Sequence, residues 1–197
     1  MSTRGTWGFV LDGTEYLTYN HSDSYPSGLG VDILAWARQA DWSKVREQVA
    51  ALTLVEDDAE PTAEQAAATG LTPEHVSTGR DWYSLLRSTQ GDPQATLDLG
   101  IMTDGHEFPL DSLFCEWAYV IDLDAETLEV YQGFQKTLPD AGRWAGRPTA
   151  EEDAEAAQNT GTGRPVEVSE YKAIQRREAY PLSDLPSEEV FLERHEG

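Results

Sequence analysis

The chain has 197 residues and a mass of 21.8 kDa, enough to bury roughly 70% of its unfolded surface without a metal or disulfide staple. Thirty-six acidic against fourteen basic residues give a net charge of -22, which repels phosphate backbones and anionic lipid and argues against direct nucleic-acid or membrane binding. The single cysteine, Cys115, has no internal disulfide partner, and no run of about 18 apolar residues offers a membrane span, so the expected setting is a reducing cytoplasm.

GTWGFVL and TEYLTY are β-rich runs around Asp12-Gly13, a pair that tolerates positive φ, and they predict a hairpin with strands at 5–11 and 15–19. Pro26, Gly28 and Gly30 then mark an irregular turn before a helix that starts at Val31. Asp41 is placed to cap a second helix, in which Trp42, Val45, Val49 and Leu52 recur at helical spacing, and both helices are expected to pack on the sheet. VEDDAEPTAEQAAATG predicts a solvated acidic loop and a small surface helix, with Thr62 and Gln65 as a capping box and Gly70 as the stop.

Thr72-Pro73 opens another short helix, Trp82, Leu85 and Leu86 form a buried helical face, and Asp92-Pro93 starts one more turn, so the middle of the chain is expected to be helical and local. LFCEWAYVIDLDAETLEVYQGF predicts a second, central hairpin that turns at Asp124–Thr127. Residues 147–165, rich in acids and alanine and then glycine, suggest a surface helix and a flexible connection. PVEVSEYKAIQRREAYPL supplies one more strand, and Ser187 caps a terminal helix. The sum is one α+β domain over residues 1–197, a mainly antiparallel sheet built from hairpins with inserted helices.

The acidity is uneven. Residues 1–54 carry a net charge of -2 and the other 143 carry -20, concentrated at 55–64, 151–155 and 184–196. The opening loop, YNHSDSYPSGLG from Tyr19 to Gly30, is chemically dense instead, with Asn20, His21, Asp23 and Tyr25 offering an amide, an imidazole, a carboxylate and a phenol within six residues. Two readings stand side by side: a polar pocket at a strand end, or an Asx-type turn in which Asp23 and Ser24 bond backbone amides.

MSTRG, GFVLDG and YNHSDSYPSGLG resemble the start of small uncharacterised proteins of bacteriophages and their actinobacterial or other bacterial hosts, and CEWAYVIDLDAETLEVYQGF is loosely similar to a later part of them. The resemblance implies a phage or prophage accessory protein, carries no activity with it, and makes Arg4, Asn20, His21, Asp23 and Tyr25 the pocket candidates.

The leading expectation is a protein that binds a host protein with a basic surface, or a small polar ligand, with no cofactor. The rival is a hydrolase of amide or glycosidic bonds: removal of Met1 exposes Ser2 as an N-terminal nucleophile, with Asp23 and His21 as further catalytic candidates and Arg4, Asn20 and Asp23 holding substrate or the amine. A metal reading would add His106 or Asp104 to His21 and Asp23, but nothing in the sequence joins those loops, and no metal is expected. His75 and His195 fall on helices expected to be exposed, and Cys115 reads as a small buried hydrophobe in a strand. Trp144, in GRWAGRP, is either an exposed anchor for an interface or a lid folded back on the sheet.

Overall fold

A computed structural model describes residues 3–72, 79–147 and 170–196. The first hairpin forms as the sequence predicts, from β1 (Gly5–Leu11) and β2 (Thr14–Asn20), and Asp12 and Gly13 turn it with φ of 51° and 73°. The turn is held from outside, because the Asp124 carboxylate accepts from the amides of Asp12 and Gly13, both at 2.9 Å. Those two backbone donors hold the carboxyl below its usual pKa.

The second hairpin pairs β5 (Trp117–Asp122) with β6 (Thr127–Gln132), and β7 (Gln175–Pro181) adds to β6, both antiparallel. The two hairpins meet through a parallel pairing, Gly5 with Trp117 through Val10 with Asp122, which gives the order β2-β1-β5-β6-β7. The fold is therefore α+β with a mostly antiparallel sheet. The β1–β5 joint links segments more than a hundred residues apart and leaves no local pattern to read.

Every residue of β1 is buried, and the side chains alternate between two cores. Trp7, Phe9 and Leu11 join Tyr119, Ile121, Leu128 and Val130 on one face. Ile33 and Leu34 of α1 (Val31–Ala37) and Val45 and Val49 of α2 (Trp42–Ala50) cover that face, as their spacing predicts. Asp41 caps α2 by accepting from the Ser43 and Lys44 amides. At Gly8 a Cβ would run into the carbonyl oxygen of Tyr16, so β1 and β2 approach at a distance only glycine permits.

Val10, Ala118, Val120, Tyr131, Cys115 and Trp144 build the core on the other face. Of the two readings of Trp144, the structure shows the lid: its ring is fully buried and lies edge-on to Tyr131 at 4.6 Å. The adjoining Arg143 reaches under it, donating to Glu129 at 2.9 and 3.1 Å, to Asp122 at 2.7 Å and to Glu15 at 3.2 Å. Glu129 is buried and also accepts from Arg176 and from the Tyr131 hydroxyl. Burial opposes the charge on Arg143, but Glu129, Tyr131 and Asp122 more than offset it and raise its pKa.

The middle of the chain is less local than its sequence suggests. α3 (Ala63–Thr69) is the surface helix expected, with its capping box and a left-handed Gly70. α4 (Trp82–Leu85) and α5 (Pro93–Leu99) follow, capped by Asp81 and Asp92. β3 (Thr53–Val55), before α3, and β4 (Ile101–Thr103), after α5, pair in parallel as a second small sheet, three residues each and too short to show a period. The predicted helix at Pro73 and the surface helix within 147–165 fall almost wholly outside the described residues.

The last helix, α6 (Glu188–Glu196), starts with Ser187 accepting from the Val190 amide. His195 on it is not exposed as expected: it is half-buried, 3.0 Å from the Tyr180 hydroxyl and 4.7 Å from the Phe191 ring centre, because this turn of the helix packs onto the sheet. His75 lies outside the described residues.

Removing one partner from the Arg143 cluster strands buried carboxylates. Arg143→Met is expected to cost about 3 kcal/mol, read as a lower urea midpoint with an unchanged m-value.

Candidate functional site

The polar loop after β2 mostly ties itself down. Asn20 is buried, and its amide donates to the Ser22 carbonyl at 2.6 Å and the Ser24 hydroxyl at 2.9 Å. Ser24 is buried too, donating its amide to the Thr3 carbonyl while its own carbonyl accepts from the Tyr119 hydroxyl at 3.1 Å. Asp23 holds φ at 56° and accepts the Leu29 amide on its backbone oxygen, a close approach that leaves no room for a Cβ at Gly28. The side chains of Asp23 and Tyr25 are exposed. The loop thus anchors the start of β1 to Tyr119 in the core.

A cleft of about 950 Å³ opens beside this loop. Four segments supply it: Arg4 before β1, Tyr19 near the end of β2, Glu56 and Asp57 after β3, and Thr103–Phe108 with Asp111 after β4; Tyr83 of α4 completes it. The parallel pairing of β3 and β4 delivers both strand ends to the same place, and the Asp104 amide donates to the Val55 carbonyl at 2.8 Å. The Gly105 amide donates to Leu17 at 2.7 Å and the Thr18 and Thr103 hydroxyls lie 2.7 Å apart, so the small sheet is fastened to β2.

The wall is aromatic. Tyr19 meets Phe108 edge-on at 4.9 Å and lies 6.2 Å from Tyr83. His21 Nδ1 stands 3.3 Å from both the Tyr19 and the Tyr83 hydroxyls, and Arg87 donates to Tyr83 at 2.7 Å. Burial raises the Tyr19 pKa, Tyr83 adds to it, and Arg4 and Arg87 pull the other way. Glu56, Asp57, Asp104, Glu107 and Asp111 set five carboxylates against Arg4, with His106 as a titratable group among the lining residues. His106 Nδ1 lies 2.8 Å from Asp104, a hydrogen bond that raises its pKa against the opposing effect of burial, with the charges of Asp104 and Glu107 adding to the rise.

Of the five sequence candidates, the structure brings Arg4 into the cleft and His21 against two of its walls. Asn20 is inside its own turn, and Asp23 and Tyr25 are not among the lining residues. Ser2 lies outside the described residues. His21 and His106 do share a neighbourhood through Tyr19, yet among the described residues no group of three His, Cys, Asp or Glu side chains could hold a metal ion. Cys115 is fully buried just before β5, and burial pushes its thiol up to about 12.

Sequence reasoning missed Tyr83, Phe108, Glu56, Asp57, Glu107 and Asp111 as site residues. Glu56 and Asp57 stood out only as part of an acidic run, and MTDGHEF only through His106 and Asp104 as metal candidates. The β-rich triplets TLV and IMT, each followed at once by acids or an acid and glycine, are the signal that would have paired those loops.

The loop and the cleft separate under mutation. Asn20→Ala leaves the buried Ser24 hydroxyl and the Ser22 carbonyl without their partner and is expected to cost about 2 kcal/mol, measured by urea unfolding, while the near-ultraviolet signature of the folded aromatics is kept. Comparison with protein-family models, with curated proteins and with solved structures finds no match to this chain.

Proposed function

We propose that the chain is an accessory binding protein of phage type, working in the bacterial cytoplasm, whose cleft receives a positively charged group of a host protein or a small polar ligand. The observation that carries this reading is the five carboxylates gathered around the aromatic wall of a cleft of about 950 Å³. An ammonium or guanidinium entering there gains charge pairing from the rim and the negative faces of Tyr19, Tyr83 and Phe108. A pocket of this size with convergent polar groups on an apolar wall suits a side chain or small molecule better than it suits a flat protein surface.

Several other features agree with this reading. The acidic run 55–64, conspicuous in the sequence, contributes Glu56 and Asp57 directly to the cleft. Its backbone is held there by α4, with the Tyr83 amide donating to Asp57 and the Trp82 amide to Ala59, both at 2.9 Å. The buried, unpaired Cys115 fits a reducing compartment. Among the described residues no helix is long and apolar enough to cross a membrane. The N-terminal resemblance to small phage proteins supplies the biological setting.

Titration with spermidine and with arginine amide tests the reading. Glu56→Gln combined with Asp57→Asn is expected to weaken both by about tenfold, or about 1.4 kcal/mol, and to flatten the loss of affinity between low and high salt. Affinity that ignores salt and the double substitution would reject it.

Protonated His106 adds a cation to the rim and occupies Asp104. Because its pKa lies above the ordinary 6.5, affinity for spermidine is expected to rise with pH through that raised value and to lose this inflection in His106→Gln. Calorimetry across the window checks the sign: a rise in affinity on acidification would contradict it.

A further inference from the structure

An apolar patch borders the cleft. Leu113 and Phe114 are exposed in the turn before β5, and Phe134, just after β6, is 52% exposed. The Phe134 amide donates to the Ser112 carbonyl at 2.7 Å, which sets it beside that turn. Large apolar side chains grouped on a surface mark interaction sites far more often than single exposed ones do.

Phe134 is also held at φ 57°. The other non-glycine residues with positive φ, Asp12, Asp23 and Glu126, are short-range turn formers or a hairpin end, whereas a phenylalanine gains nothing from that backbone region. Its ring touches Tyr171 edge-on at 6.4 Å but is otherwise largely open, so burial in the core does not compensate the strain. A strained backbone that presents an aromatic ring outward is a feature associated with binding surfaces.

The patch and the cleft are continuous through Arg4. This residue lines the cleft, and its guanidinium lies 4.9 Å above the Phe114 ring. Asp111, two residues before Leu113, lines the cleft as well. Any partner reaching into the cleft past Arg4 therefore meets Phe114.

We infer that Leu113, Phe114 and Phe134 form the second half of the partner site, and that the partner is a protein segment bearing apolar side chains next to its basic ones. The inference rests on the proposed reading of the cleft as a receptor for positive charge. The carboxylate rim selects the basic residues by charge complementarity, and the patch selects their apolar neighbours, so a free polyamine uses only half of the surface.

Two synthetic probes separate the halves: an arginine–alanine peptide and its counterpart in which two alanines are leucine. Wild-type protein is expected to bind the leucine peptide at least tenfold more tightly. Phe134→Gly, which relieves the positive φ, is expected to abolish that gain, to leave the affinity for the arginine–alanine peptide unchanged, and to keep or raise Tm. Equal binding of the two peptides by the wild type overturns the inference and leaves the cleft reading standing, whereas binding of neither overturns both. A large fall in Tm in Phe134→Gly would show that the chain itself packs on the ring. A concentration-dependent dimer dissolved by the same substitution would show a second copy as the occupant, and either result overturns the inference.

Discussion

The parallel pairing of β1 with β5 is the constraint on which the remaining structure depends. β1 has both edges occupied and both faces covered, so every one of its residues is buried and none is available to adjust. Its register against β5 decides where Arg4 emerges, since the Glu116 amide donates to the Arg4 carbonyl just ahead of the first paired residues. The polar loop after β2 reinforces the same point, through Ser24 to Thr3 and Tyr119. One wall of the cleft is thus fixed by the most constrained strand of the fold, and a rigid wall lowers the ordering cost of whatever binds against it.

Charge is distributed to match. On the face of the sheet that Tyr19 shares, Glu15, Asp122 and Glu129 are balanced by Arg143, Arg147 and Arg176 in a partly buried cluster. Such a cluster contributes little net stability over an apolar replacement, but it fixes the geometry of the segment that carries Trp144. Arginines paired in this way are not free to neutralise the cleft, where Glu56, Asp57, Asp104, Glu107 and Asp111 converge. The net charge of -22 is therefore not spread evenly over a solubilising surface, because part of it is gathered where a cavity is available to use it.

Local chemistry was legible in the sequence, and distant pairing was not. Asp12-Gly13, the Asp41 cap, the Thr62 and Gln65 capping box, Gly70 and the Ser187 cap each act over a few residues, and each is found where its side chain or its freedom at positive φ predicts. The α+β class followed from these. The β3–β4 pair and the β1–β5 joint depend on contacts between segments that share no period, and the cleft exists only once both are made. For that reason Arg4 and His21 could be named from the sequence while Tyr83 and Phe108 could not. Asn20 illustrates the converse, since the properties that make an amide attractive for a ligand also make it the best available partner for its own turn.

Arg4 sets the balance of charge in the cleft. A cation among five carboxylates reduces their mutual repulsion, which would otherwise oppose closing four chain segments around one space. Its guanidinium already has Phe114 against one face, and it stands near enough to Tyr19 to oppose the rise in that phenol's pKa. On the proposed reading a bound cation need not displace it, since the carboxylates contributed by the β3 and β4 loops remain as partners. On the proposed reading an anion would meet Arg4 among five carboxylates and be disfavoured, even though the cleft contains a cation of its own. The same arginine carries the surface from the charged cleft onto Phe114, which is why charge and apolar contact are available to a single partner side by side.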